Sequence, residues 1–195
     1  APAPSTRMKT MHPVTTKTDG FAPEFDPGNL CVDVEIEADG WASMHDDPAA
    51  FCVQVLNHTL GHLGLPGRSY EVSVLLTDDA RQKTLNAEYR GKNSSTNVLS
   101  FPSGEAADGA FPTDLAMPLG DITMALEPVQ KESAAGGLSF ADHFCHLLVH
   151  GMLHLAGYDH ETDNDAEQME TLEIEILAGL GVDNPYPGGV TATHE

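Results

Sequence analysis

Residues 150–160 read H-G-M-L-H-L-A-G-Y-D-H. In a helix of 3.6 residues per turn, His150 and His154 stand one above the other on a single face. Gly157, three residues further on, can take the left-handed conformation that ends a helix, so the chain swings back and offers His160 from a different direction. A chain with this stretch has to form a helix, stop it at the glycine and anchor the returning segment. Three neutral imidazoles with no thiolate suit Zn²⁺ and leave a fourth position open, the pattern of a catalytic site. Such an ion lowers the pKa of bound water to about 7 and attracts an anionic group such as a phosphodiester.

His143 and His146 extend the same helical face upstream. His146 and His154 are eight residues apart, or ~12 Å along the axis, too far for both to close on one ion at ~2.1 Å. The reading for His143 and His146 is therefore structural, with contact to a ligand as the rival. Asp159 either orients an imidazole or a water, or caps the turn. The spacing H-x3-H-x2-G-x2-H is shared with metzincin proteases, but those enzymes place a glutamate general base where this chain has Gly151. Without that residue peptide hydrolysis lacks its proton shuttle.

Thirty acidic against nine basic residues give a formal net charge of −21, which ordinarily repels nucleic acid. The charge is uneven. Arg68, Arg81, Lys83, Arg90 and Lys92 fall within one short span, while 159–175 is rich in carboxylates without a cation. Those carboxylates read as the solvated outer face of a helix. Cys31, Cys52 and Cys145 are odd in number, lack C-x-x-C spacing and sit in apolar stretches. They read as buried thiols in a reducing cytoplasm. No membrane span or signal peptide is expected.

Residues 1–29 and 183–195, which include His12 and His194, read as tails around a single domain over 30–182. Within it, β-rich stretches at 30–36, 70–76, 97–101 and 120–124 predict a four-stranded sheet. Start signals at Asp46-Asp47-Pro48 and Asp78-Asp79 open two helices, and Pro128 sits in the first turn of a third that ends at Gly136-Gly137. A fourth helix over about 139–156 carries the histidines, and a fifth covers about 164–179. Residues 103–118 read as a surface loop. The expected class is mixed α/β (α+β), a four-stranded sheet packed with about five helices and the metal site at the end of a helix in the C-terminal half.

H-G-x-L-H-L-x-G-Y-D-H, together with L-N-A-E-Y-R-G-K-N-S-S-T-N-V-L-S-F-P at 85–102 and L-G-D-I at 119–122, resembles the YbeY family of bacterial metal-dependent ribonucleases. The resemblance runs over about 30–186. It implies one Zn²⁺ per chain on His150, His154 and His160, and cleavage of single-stranded RNA in ribosomal RNA maturation and ribosome quality control. It also implies ribosomal RNA, small-subunit ribosomal proteins and assembly GTPases as partners, and Arg90 in the place of the family's functionally important arginine. From the residues alone, Arg90 leaves a helix end and either binds a phosphate with its planar fork or pairs with a surface carboxylate. The alternative function is a ribosome-assembly factor in which zinc only fixes the fold.

Overall fold

The computed structural model describes residues 30–104, 111, 112 and 114–186. The expected tail at 1–29 with His12 lies outside the described residues, as do residues 187–195, with His194, of the expected tail at 183–195 and the middle of the 103–118 loop. Tyr186, from the described part of that second tail, bonds Glu173. In chain order the elements are β1 (Leu30–Ile36), α1 (Pro48–His62), β2 (Tyr70–Thr77), α2 (Asp79–Arg90), β3 (Val98–Pro102), β4 (Met117–Ala125), α3 (Leu126–Gly136), α4 (Phe140–Leu155) and α5 (Asp163–Gly179). The expected class stands, with four strands and five α-helices among the described residues. A 3-10 turn at Asp39–Ser43, which the sequence did not signal, is added between β1 and α1.

The sheet runs β1-β2-β4-β3, with β1, β2 and β4 parallel and β3 antiparallel at one edge. Side chains alternate across it. Tyr70, Val72, Val74 and Leu76 of β2 are buried on the side of α1 and α4, whereas Cys31, Asp33 and Glu35 of β1 point to the other side and are exposed. Cys52 and Cys145 are buried as expected. Cys31 corrects the expectation of three buried thiols: it occupies the β1 alternation that no helix covers.

Strand β4 starts at Met117, inside the stretch read as loop, because Met117 N–H pairs with the Ser69 carbonyl and extends the ladder past a bulge at Glu71/Val72. Helix starts follow their side chains. Asp47 accepts from Ala50 N–H, Asp78 from Arg81, Ser139 from Asp142 and Thr162 from Asp165. Helix α4 is the central element. Its first turn is fixed by Trp41, fully buried, whose ring meets Phe140 at 5.8 Å and Phe144 at 5.4 Å while Nε1 donates to the Thr77 carbonyl.

Farther along, α4 comes so close to the sheet that a Cβ at Gly151 would stand 3.1 Å from Ile122 Cγ2 and 3.2 Å from Ser100 Oγ. The missing side chain is what lets the histidine helix lie against β3 and β4. Among the described residues no helix is long and apolar enough to cross a membrane.

Candidate metal centre

Helix α4 ends as the spacing requires. Gly157 has φ +94°, its N–H bonds to the His154 carbonyl, and Tyr158 N–H reaches the Leu153 carbonyl. These are the two bonds of a Schellman motif, which satisfies the last carbonyls and reverses the chain. Asp159 Oδ1 then accepts from His160 N–H at 2.7 Å, so of its two readings the structure shows the turn cap. The result gathers His150, His154 and His160, with one ligand nitrogen from each lying within 4.8 Å of the others.

Hydrogen bonds decide which nitrogens are free. His150 Nδ1 donates to Glu173 Oε1 at 2.7 Å, and His154 Nδ1 donates to the Tyr158 carbonyl at 3.0 Å. In the neutral rings both Nε2 atoms then carry lone pairs, and they face each other at 3.0 Å. Two lone pairs at that separation repel until a proton or a metal ion lies between them, and nitrogens on a tetrahedral ion at ~2.1 Å would stand ~3.4 Å apart. The donor set fits a divalent ion that favours imidazole. Burial and the neighbouring His150 lower the His154 pKa, which keeps that ring neutral and able to ligate.

Behind the triad lies Glu173, 1% exposed. This corrects the reading of the 159–175 carboxylates as an outer face. Glu173 points inward and accepts from His150 Nδ1, from His146 Nε2 at 3.0 Å and from the Tyr186 hydroxyl at 2.5 Å. Burial alone would raise its pKa, but the bonds from His146, His150 and Tyr186 hold it down to about 2. The sequence did hold a signal, since Glu173 follows Met169 by four residues and precedes Ile176 by three, on the apolar stripe itself.

His143 and His146 both stay out of the triad, and for His146 the rival reading, contact with the groups that hold a ligand, is the one seen. His143 Nε2 bonds Glu132, and His146 supports the carboxylate that orients His150. Tyr186, beyond the last helix, had no sequence signal.

Arg90, Lys92 and the three histidines border one cleft of about 860 Å³. Arg90 is the last residue of α2, and its Nη2 donates to the Ser100 carbonyl at 2.7 Å. Among the described residues its partner is thus a backbone oxygen rather than a carboxylate. Asn86, 3% exposed, donates from Nδ2 to the Ser94 carbonyl and holds the 91–97 loop against the cleft.

The family model for "Endoribonuclease YbeY" matches residues 35–181. The chain belongs to the YbeY family. Among YbeY relatives, the endoribonuclease YbeY of Azorhizobium caulinodans is 46% identical over 157 residues, covering 80% of this chain and 95% of its own. That of Agrobacterium fabrum is 44% identical, covering 82% and 96%. That of Jannaschia sp. is 46% identical, covering 80% and 99%. The chain is also similar to the solution structure of TM1509 from Thermotoga maritima, with a TM-score of 0.46, 20% identity, and coverage of 84% of this chain and 100% of that one. Two of the three motifs read from the sequence meet at this cleft, and the third lies behind it on β4. The histidine motif supplies the triad, the 85–102 motif supplies Arg90, Lys92 and β3, and L-G-D-I is the stretch of β4 paired with β3.

Proposed function

We propose that residues 30–182 form one zinc-dependent endoribonuclease domain that cuts single-stranded RNA in the cytoplasm. Its place would be ribosomal RNA maturation and ribosome quality control, beside small-subunit ribosomal proteins and assembly GTPases. The observation that carries the reading is the pair of Nε2 lone pairs facing each other at 3.0 Å, with His160 beside them and Arg90 in the same cleft.

His150, His154 and His160 would hold one Zn²⁺, which when bound supplies an activated water and a positive charge for the phosphodiester. The chain's own residues do the rest. Glu173 and the Tyr158 carbonyl fix both tautomers so that Nε2 faces the ion. Arg90, braced on Ser100, presents its fork to the non-bridging phosphoryl oxygens and stabilises the charge that grows there. Lys92 adds a second cation on the same wall. Local charge of this kind outweighs the distant carboxylates because salt screens interactions beyond roughly 8–10 Å. Gly151 speaks against the protease reading: the general-base glutamate is missing, and even a Cβ there would press on Ile122 and Ser100.

The test is cleavage of an unstructured RNA with and without chelator. Arg90→Ala should lose about 10²-fold in rate with metal content unchanged, and His154→Ala should lose most of its metal. A zinc-loaded chain that leaves such RNA intact would return the protein to the non-catalytic assembly-factor reading.

A further inference from the structure

The last two residues of α2 border different hollows. Arg90 lines the metal cleft, whereas Tyr89 lines a second hollow of about 370 Å³ on the opposite face of the sheet. Strand β3 is the wall between them. By its alternation Ser100 and Pro102 border the cleft, while Phe101 borders the second hollow. Arg90 straddles this wall, with its Nη2 on the Ser100 carbonyl and its Cζ 5.7 Å from the centre of the Phe101 ring.

The second hollow combines three features. Tyr89 is 69% exposed, unusual for so large a ring, and stands 5.5 Å from Phe101 with the two planes tilted by 60°. Asp121 lies directly across the ladder from Phe101, so a flat group resting on the rings meets its carboxylate. Thr123, next on the same face, is 5% exposed and lines the hollow with its Oγ1 buried out of reach of solvent. Aromatic faces and a carboxylate acceptor over a closed floor together suit a flat, neutral group with adjacent N–H donors. Asp33 and Glu35 on the rim repel phosphate, so only an uncharged part of a nucleotide enters.

We propose that this hollow is a guanine-binding subsite for a nucleotide close to the scissile phosphate, with its backbone held on the Arg90 side. Guanine presents N1–H and N2–H side by side and matches a carboxylate bidentately. Adenine and cytosine place an acceptor nitrogen next to their amino group, and uracil flanks its single N–H with carbonyls. The Watson–Crick edge is free for this contact only in unpaired RNA, which ties the subsite to single-strand selectivity. Stacking on Tyr89 adds affinity. The proposal rests on the endoribonuclease reading for its purpose, but nucleoside binding can be measured without metal or cleavage.

The decisive experiment titrates isotopically labelled, chelator-treated protein with guanosine, adenosine, cytidine and uridine. It follows the backbone amides of Phe101, Asp121 and Thr123 by NMR. Guanosine should bind at least about tenfold more tightly than the others, and Asp121→Asn should erase that preference. Tyr89→Ala should weaken binding of guanosine by about tenfold while distant amides stay in place. In zinc-loaded protein, replacing the guanosine of a cleaved oligonucleotide by inosine, which lacks the 2-amino group, should raise KM with little change in kcat. Equal binding of the four nucleosides, or an Asp121→Asn protein that keeps its guanosine preference, would overturn the subsite. So would a Lys- and Arg-rich peptide that shifts these amides when guanosine does not, which would give the face to a basic protein. Guanosine binding in a protein that cuts no RNA would support the subsite and sink the nuclease reading. RNA cleavage without guanosine binding would do the reverse.

Discussion

Glu173 reaches across from α5 to accept a hydrogen bond from Nδ1–H of His150, 23 residues away in the chain, at 2.7 Å. The bond fixes the tautomer that leaves Nε2 free, and the negative charge makes that nitrogen a stronger donor. Glu173→Gln keeps the shape and removes the charge. Metal affinity should fall by about 10–100-fold, read by chelator competition, with the fold intact by circular dichroism. Unchanged affinity would mean that Glu173 only fills space.

Gly151 separates this site from the metzincin arrangement that shares its spacing. A Cβ added there would meet Ile122 Cγ2 at 3.1 Å and Ser100 Oγ at 3.2 Å, so a side chain fits only if its neighbours give way. Gly151→Glu should destabilise the protein by at least about 1–3 kcal/mol from overpacking alone, with the burial of a carboxylate added. It should yield no peptidase. Denaturant unfolding and a casein assay read the two outcomes, and a stable variant that cuts peptide bonds would reverse this account of the glycine.

The triad was legible because its geometry is local. Two histidines one turn apart and a glycine stop depend on helix pitch and the left-handed region, which neighbouring residues specify. The strands at 30–36 and 70–76 were legible for a similar reason, since period-two patterning marks a sheet with one covered face. Glu173 and Tyr186 were not. Each gains its role from a partner in another element, His146 and His150 on α4, and a carboxylate among seven others in 159–175 looks solvated until packing picks it out. Cys31 was misread because an apolar run does not say which alternation the helices cover.

The three thiols should react unequally. Burial pushes Cys52 and Cys145 up to about 12, while Cys31 lies exposed on the uncovered side of β1. Alkylation with iodoacetamide at pH 8 should modify one thiol per folded chain, with the other two at least about 10²-fold slower and all three reactive in denaturant. Peptide mapping that finds Cys145 labelled as fast as Cys31 would show that α4 opens readily.

Chelator-treated protein should lose stability in acid through two separate windows. His58 is lowered by burial and by His62, and His154 by burial and by His150, so below the ordinary histidine pKa of 6.5 the unfolded chain takes up protons that the folded one refuses. Stability therefore begins to fall as pH drops through that value. Glu173 acts lower down. Its folded pKa of about 2 lies below the ordinary 4.5, so its contribution is complete above 4.5 and disappears as pH falls from there toward 2. Glu173→Gln should flatten the lower window and leave the upper one in place, whereas His58→Gln should reduce only the upper. Unfolding free energies from urea titrations at half-unit pH steps would show this, and a Glu173→Gln curve parallel to wild type below 4.5 would mean that Glu173 is not held ionised by His146, His150 and Tyr186.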